Sequence, residues 1–348
     1  MAASCDRRPG LVRREQQVLA EHPFLRVFPG GGEAGDLGEV ALVGTGDRAA
    51  EAAALSTLGG IHWRQGRYQQ ALDHLKQALA LFEQVGDRNG QSAAQGNLGL
   101  IYYQQGRYQE AIGLHRQSLA IDRESGDHLG EAIALGNLGI IEERLGHYER
   151  AARHHRRSLA LAADLGAQDT VCIALSNLGT VGLRQGRYQQ AAGHLHRGLA
   201  LSREIGYRDV EAEALNRIGD LDLRQGHPGE ATRHLREALA LYRELGNGSG
   251  EADALNSLGE VRLATGQPGH ARDEYAAALT LADQTGDKYQ QARAHHGLGQ
   301  ACHADSDHGQ ARHHWQQAFA LYTELGTPGA EPVRAQLAAA ENEPTPGP

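Results

Sequence analysis

Several things are scarce in this sequence, and each scarcity closes a door. The three cysteines, Cys5, Cys172 and Cys302, are odd in number and far apart. They form neither a disulfide framework nor a CxxC zinc pattern, so a reducing cytoplasm is the expected compartment. Lysine occurs only at 76 and 288, and 34 basic residues face 43 acidic ones, a net charge of −9. A chain without a basic excess does not neutralise a phosphate backbone, so nucleic acid is not expected as a direct partner. No apolar run approaches the roughly 18 residues of a membrane span, and no apolar stretch follows Arg7 and Arg8 as a secretion signal would require. No G-x-x-x-x-G-K-[ST] phosphate loop occurs either.

What the chain has in quantity is register. AQGNLGLIYYQQGRYQEAIGLHRQSLAIDRESGD, from Ala94 to Asp127, returns 40 residues later as ALGNLGIIEERLGHYERAARHHRRSLALAADLGA and again from Ala174. One glycine per copy falls at Gly59, Gly99, Gly139, Gly179, Gly219, Gly259 and Gly299 without insertion or deletion. A fixed period of this size is the signature of a stacked solenoid, whose units bury their apolar faces only against neighbours.

Each copy reads as two amphipathic helices and a turn. Leu98, Ile101 and Tyr102 share one face at helical spacing, Gly106 stops the first helix, and the second carries Ala111, Ile112, His115, Leu119 and Ile121. The Gly126-Asp127 pair ends it and suits entry to the next helix. Glycine inside a helix costs about 1 kcal/mol relative to Ala. Seven ladder glycines, with an Ala ladder from Ala71 to Ala311, therefore imply a repeated demand for close packing.

Leu98-Gly99, Tyr102, Ala111 and Ser118 resemble the tetratricopeptide repeat (TPR) pattern, in a longer frame than the common one of ~34 residues. The longer form is similar to the repeats of kinesin light chains and Pins-type adaptors. ALNSLGEVRLATGQPGHARDEYAAAL (254–279) and residues 291–326 further resemble the C-terminal repeats of actinobacterial NB-ARC ATPase and SARP-type regulators. The resemblance implies an all-α, right-handed superhelix of seven repeats over 49–330. A non-repeating, partly disordered leader over 1–48 and a capping helix with a disordered tail over 331–348 complete the expected organisation.

The resemblance also implies that first helices line a concave groove for an extended peptide. Asn97, Asn137, Asn177 and Arg217 lie two residues before the ladder glycine, with Asn216 and Asn256 three before it. In kinesin-light-chain-like relatives such Asn residues hold a peptide backbone, since one amide both donates and accepts; a bond to a neighbouring helix is the alternative. Trp63 and Tyr103 are expected on the same surface, with Arg64, Arg144, Arg184 and Arg224 along one edge. Asp220 and Glu260, with Glu213 and Asp253, make the C-terminal half of the groove acidic, suiting a ligand whose apolar part is followed by a basic one.

Chemistry is not expected. Gly30, Gly32 and Gly35 spell G-x-G-x-x-G, but no βαβ unit follows them. Histidines 74, 154, 194, 234 and 314 form a ladder whose members stand at least ~10 Å apart by helix packing, too far to share one metal. Serines 118 and 158 occupy a packing slot filled elsewhere by Ala. The sequence thus points to a cytoplasmic protein-binding scaffold with no catalytic residue, cofactor, metal or membrane contact. The alternatives are a receptor for a signalling peptide, or a sensor whose ATPase or DNA-binding module sits on another chain. Oligomeric state stays open.

Overall fold

The structure, a computed structural model, describes residues 47–64 and 67–341. The expectations for the leader and its glycine motif, and for the tail beyond Glu341, lie outside these residues. Every copy becomes a helix pair: α1 (Arg48–Arg64) and α2 (Tyr68–Val85), α3 (Arg88–Gln104) and α4 (Tyr108–Ser125), α5 (His128–Arg144) and α6 (Tyr148–Asp164), α7 (Gln168–Arg184) and α8 (Tyr188–Ile205), α9 (Arg208–Arg224) and α10 (Pro228–Leu245), α11 (Gly248–Ala264) and α12 (Pro268–Thr285), α13 (Lys288–Ala304) and α14 (His308–Leu325). A last helix, α15 (Ala330–Glu341), follows. No strand occurs among the described residues, and the architecture is the expected all-α solenoid.

The turns explain the constant length of the copies. The glycines that close the helices, from Gly86 to Gly326, have φ between +64° and +81°, a region costly for any residue with a Cβ. The next residue opens the following helix: Asp87 Oδ1 accepts from Gly90 N at 2.9 Å, and Asp127 Oδ1 from Gly130 N at 2.8 Å. Pro228 and Pro268 stand at the first turn of α10 and α12, where a missing N–H costs least. Ser306, at φ 63°, takes the left-handed place that Gly holds in the second to sixth copies.

The ladder glycines have a more specific task than helix approach in general. Each faces the side chain 16 residues on, in the second helix of its own pair: Leu75, His115, His155, Leu195, Leu235, Tyr275 and Trp315 in turn. A Cβ on Gly219 would stand 2.6 Å from Leu235, and one on Gly99 would stand 2.7 Å from His115 Nε2, both inside contact distance. The glycine is the hole, and the residue 16 later is the knob. All seven members of the Ala ladder are at most 1% exposed beside it. His115 and His155 are as buried as the leucines that replace them elsewhere, and burial pushes both imidazoles down to about 3. Neither ring nitrogen of His115 has a hydrogen-bond partner among the described residues.

The helices divide into two compact units. Of the described residues, the first holds 47–102 and Gln109–Asn137, the second Tyr103–Tyr108 and 138–341. In the first unit Ala71, Leu72, Leu75, Leu98 and Ile101 form a core with Trp63 packed against it. A buried hydroxyl cluster also ties α3 to α4 there: Ser92 Oγ lies 2.8 Å from Ser118 Oγ and donates to Asp122 Oδ1 at 2.5 Å. In the second unit a long core runs from Leu195 to Ala294 across α8–α13. Val333 of α15 closes a further cluster with Trp315 and Tyr322.

Candidate functional site

The second unit carries the site, on the face made by successive first helices. Its frame is the column six residues before the ladder glycine: Ile173 in α7, Glu213 in α9, Asp253 in α11 and Arg293 in α13. Asp253, 6% exposed, is ion-paired with both Arg217 and Arg293, and Asn216 Nδ2 donates to its Oδ2 at 3.0 Å. Burial opposes ionisation of this carboxyl, but Arg217 and Arg293 outweigh it and hold Asp253 well below the usual carboxylate range. Arg217 also reaches Asp220 Oδ2 at 2.8 Å, and Arg293 reaches Glu260 Oε1 at 2.7 Å. One charged network therefore binds α9, α11 and α13.

Nearer the helix ends lies an arginine edge. Arg144, Arg184 and Arg224 are the last residues of α5, α7 and α9, where the negative end of the helix dipole favours a cation. Arg184 Nε donates to Glu143 Oε1 at 3.1 Å. Burial pushes the Glu143 carboxyl up, and the Arg184 and Arg144 charges outweigh it to hold the group below its ordinary value. Arg224 stands 3.7 Å from Glu260, whose nearer partner is Arg293. Arg144 differs from its neighbours: its Nε donates to Tyr103 Oη at 2.9 Å and its guanidinium lies 4.0 Å from the centre of the Tyr289 ring.

These groups line an open cavity of about 770 Å³. Arg144, Arg184, Arg224 and Arg293 supply its cations, Glu143 and Glu260 its anions, and Tyr148, Tyr275, Tyr289 and Tyr322 its aromatic walls, with Pro328 and Pro332 at the C-terminal side. A second cavity of about 400 Å³ shares Arg184, Arg224, Glu260 and Arg293 and adds Thr180, Tyr188, Arg217 and Asp220.

The expected site residues divide accordingly. Arg144, Arg184, Arg217, Arg224, Asp220 and Glu260 come together around these cavities. The asparagines do not present their amides to solvent: Asn97, Asn137 and Asn177 are 2%, 3% and 7% exposed. Asn216 is taken by Asp253, and Asn256 Nδ2 donates to Gln290 Oε1 at 3.0 Å, so these amides fasten one first helix to the next. Trp63 packs on the first unit's core, while Tyr103 is engaged by Arg144. The side chain of Arg64 lies outside the described residues. In the C-terminal half, Asp220, Asp253 and Glu260 are each ion-paired with Arg217 or Arg293, so two guanidinium groups offset most of the charge of three carboxylates.

Sequence reasoning missed Arg293 and the tyrosines. Arg293 was within reach, since it continues the Glu213 and Asp253 column in the seventh copy. Tyr275 and Tyr322 come from second helices, whereas the groove was expected on first helices. No group of three or more His, Cys, Asp or Glu side chains that could hold a metal exists among the described residues.

Comparison with known proteins defines the class. The family profile described as tetratricopeptide repeat matches at residues 41–84, 50–124, 90–164, 170–244 and 250–324. The chain belongs to the tetratricopeptide repeat family. Among solved structures it is similar to the Rap conjugation gene regulator of plasmid pLS20 in complex with the Phr* peptide (TM-score 0.68, 14% identity, covering 90% of this chain and 83% of that one). It is also similar to a Rap protein complexed with Competence and Sporulation Factor (0.64, 15%, 83% and 76%). A third is a STAND protein with a tetratricopeptide repeat sensor from Pyrococcus horikoshii (0.53, 15%, 86% of this chain and 45% of that one). At such identities the likeness is one of fold. Among curated proteins no sequence matches the chain. No helix among the described residues is long and apolar enough to cross a membrane.

Proposed function

We propose that the protein is a non-catalytic, cytoplasmic scaffold that binds an extended segment of another protein along the first-helix face of the second unit. The carrying observation is the cavity of about 770 Å³, with apolar rings, paired charges and an arginine edge on rigid helices. Rigid helices hold recognition groups at fixed spacing, and aromatic and arginine side chains supply most of the energy of binding surfaces. A regulatory role fits this design, since the scaffold would act through what it holds. A narrower reading, a receptor for a signalling peptide, is favoured by the likeness in fold to Rap proteins bound to the Phr* peptide and to Competence and Sporulation Factor.

The test is site-resolved crosslinking in the host cell. A photoreactive amino acid replaces Leu263, which lines the cavity, or Arg236, which lies on the second helix α10. The scaffold reading expects a discrete protein or peptide adduct from position 263 and none from 236. Adducts from 236 alone would move binding to the outer helices and sink the reading.

A further inference from the structure

The outer side of the second unit carries a different arrangement of charge. On α6, Arg153, Arg156 and Arg157 are exposed and share one face at spacings of three and four. Arg197 of α8 stands where Arg157 does one copy earlier, Arg236 of α10 where Arg156 does two copies earlier, and both are exposed. None of these arginines makes an ion pair or a hydrogen bond among the described residues. The carboxylates beside them are already engaged: Glu149 by Arg187 at 2.8 Å, Glu230 by Arg233 at 2.7 Å and Glu237 by Arg203 at 2.6 Å. The unpaired ones, Asp164 and Glu204, lie two turns beyond Arg157 and Arg197, roughly 10 Å along the helix axis.

The cations form one band. Burial, and then the charges of Arg197 and Arg156, hold the His194 imidazole of α8 below its ordinary value, so α6 and α8 act on one point. Arg203 of α8 and Glu237 of α10 bridge the next two helices. Among first helices, α7 packs on α9, α9 on α11 and α11 on α13. The second helices stand outside this inner row, so the band crosses α6, α8 and α10 along the line of the repeats, on a face that curves outward.

We infer that this band docks single-stranded nucleic acid, held by its phosphodiester backbone without regard to sequence. A guanidinium fork matches phosphate oxygens, and a row of cations in step with the repeat suits a chain of anions. A flexible strand follows an outward curve, whereas a bilayer or a straight duplex meets it at one helix. The exposed ground between the arginines is Ala160, Gly193 and Ala200, and no Phe, Tyr or Trp is exposed on α6, α8 or α10. The band therefore lacks both the aromatic anchors of a protein interface and platforms on which bases stack, and charge alone supplies the affinity. The whole-chain charge of −9, which argues against such a partner in the sequence, averages over surfaces that the strand does not touch.

The experiment follows fluorescence anisotropy of labelled U and dT strands of ~20 nucleotides on the full chain, between about 50 and 200 mM salt. Contacts from these arginines to the backbone give a slope of log K against log salt of about −3.5, alike for both strands. Arg153→Gln/Arg156→Gln/Arg157→Gln should weaken binding by roughly tenfold or more and make the slope shallower by about 2. Arg208→Gln/Arg243→Gln/Arg334→Gln, which removes as many charges from ion-paired places, should keep the slope. Absence of strand binding, equal loss in both triple variants, or tighter binding of the matching duplex would each overturn the inference. So would retention on phosphatidylserine vesicles through the same arginines without strand binding, which would make the band a membrane contact. The scaffold reading stands or falls separately, by its protein adduct at Leu263.

Discussion

The third and fourth copies and the fifth to seventh share one backbone plan and fasten it by opposite means. Six residues before the ladder glycine stand Ile133 and Ile173 in the earlier pair, and Glu213, Asp253 and Arg293 in the later set. Apolar side chains there need only be buried, and Ile173 is 6% exposed. Charged ones demand partners, and the chain supplies them from neighbouring first helices as Arg217–Asp253–Arg293. A buried ion triad is a weak source of stability, because desolvation offsets most of its attraction, but losing one member leaves charges stranded. The solenoid therefore tolerates either fastening, and guanidinium groups from both sets of copies, Arg144 and Arg184 from the earlier and Arg224 and Arg293 from the later, line the cavity.

The comparison breaks most visibly at Asp253. Asp253→Ala removes the carboxylate shared by Arg217 and Arg293, leaving them only Asp220 and Glu260, and is expected to cost about 3 kcal/mol in urea unfolding. Replacing all three together with the carboxylates they also hold, as Arg217→Met/Asp220→Asn/Asp253→Leu/Glu260→Gln/Arg293→Met, should recover most of that loss by converting the late copies to the early fastening. If the single variant and the combined variant unfold alike, the charged network is not what holds α9, α11 and α13.

The knob position offers a second contrast, since His155 stands where the next copy has Leu195. Burial lowers the imidazole to about 3 in the folded chain, from the ordinary value near 6.5. The unfolded chain then binds the proton and the folded one does not, so stability is full above about pH 6.5 and falls as pH drops toward about 3. Between pH 7 and pH 5 each of His115 and His155 should cost about 2 kcal/mol. His115→Leu/His155→Leu should flatten that pH dependence in thermal melts; an unchanged slope would place the acid sensitivity elsewhere.

Smaller effects sharpen the knob-and-hole account. Gly219→Val pushes a side chain into Leu235 and should cost about 1–3 kcal/mol, partly recovered by Leu235→Ala in a double-mutant cycle. Additive losses would mean that the glycine and the leucine do not share a contact. Smallest is Ser306→Gly, which relieves a left-handed residue and should stabilise by about 1 kcal/mol, read as a raised midpoint of thermal unfolding.

Much of this was legible in one dimension. Helix boundaries follow from Gly106, Gly126 and Asp127 and their counterparts because positive φ and N-terminal capping are local demands that few residues meet. The arginine edge was legible too, since Arg144, Arg184 and Arg224 recur at helix ends in register. The asparagine column was legible as a column and misplaced in depth. A period says which residues are equivalent, but a few tens of degrees of rotation about a helix axis separates an exposed amide from one at 2% exposure like Asn97.

The chain's local order, then, specified the period, the seven helix pairs, the turns and the family, since each rests on contacts within a copy or with the next one along. Tertiary structure alone decided which charges of the site meet. Asp253 and Arg293 are 40 residues apart in sequence yet ion-paired, and Tyr289 joins Arg144 from four copies away. Net charge counts acids and bases wherever they lie. Recognition depends on which of them remain unpaired once folding has brought distant columns together.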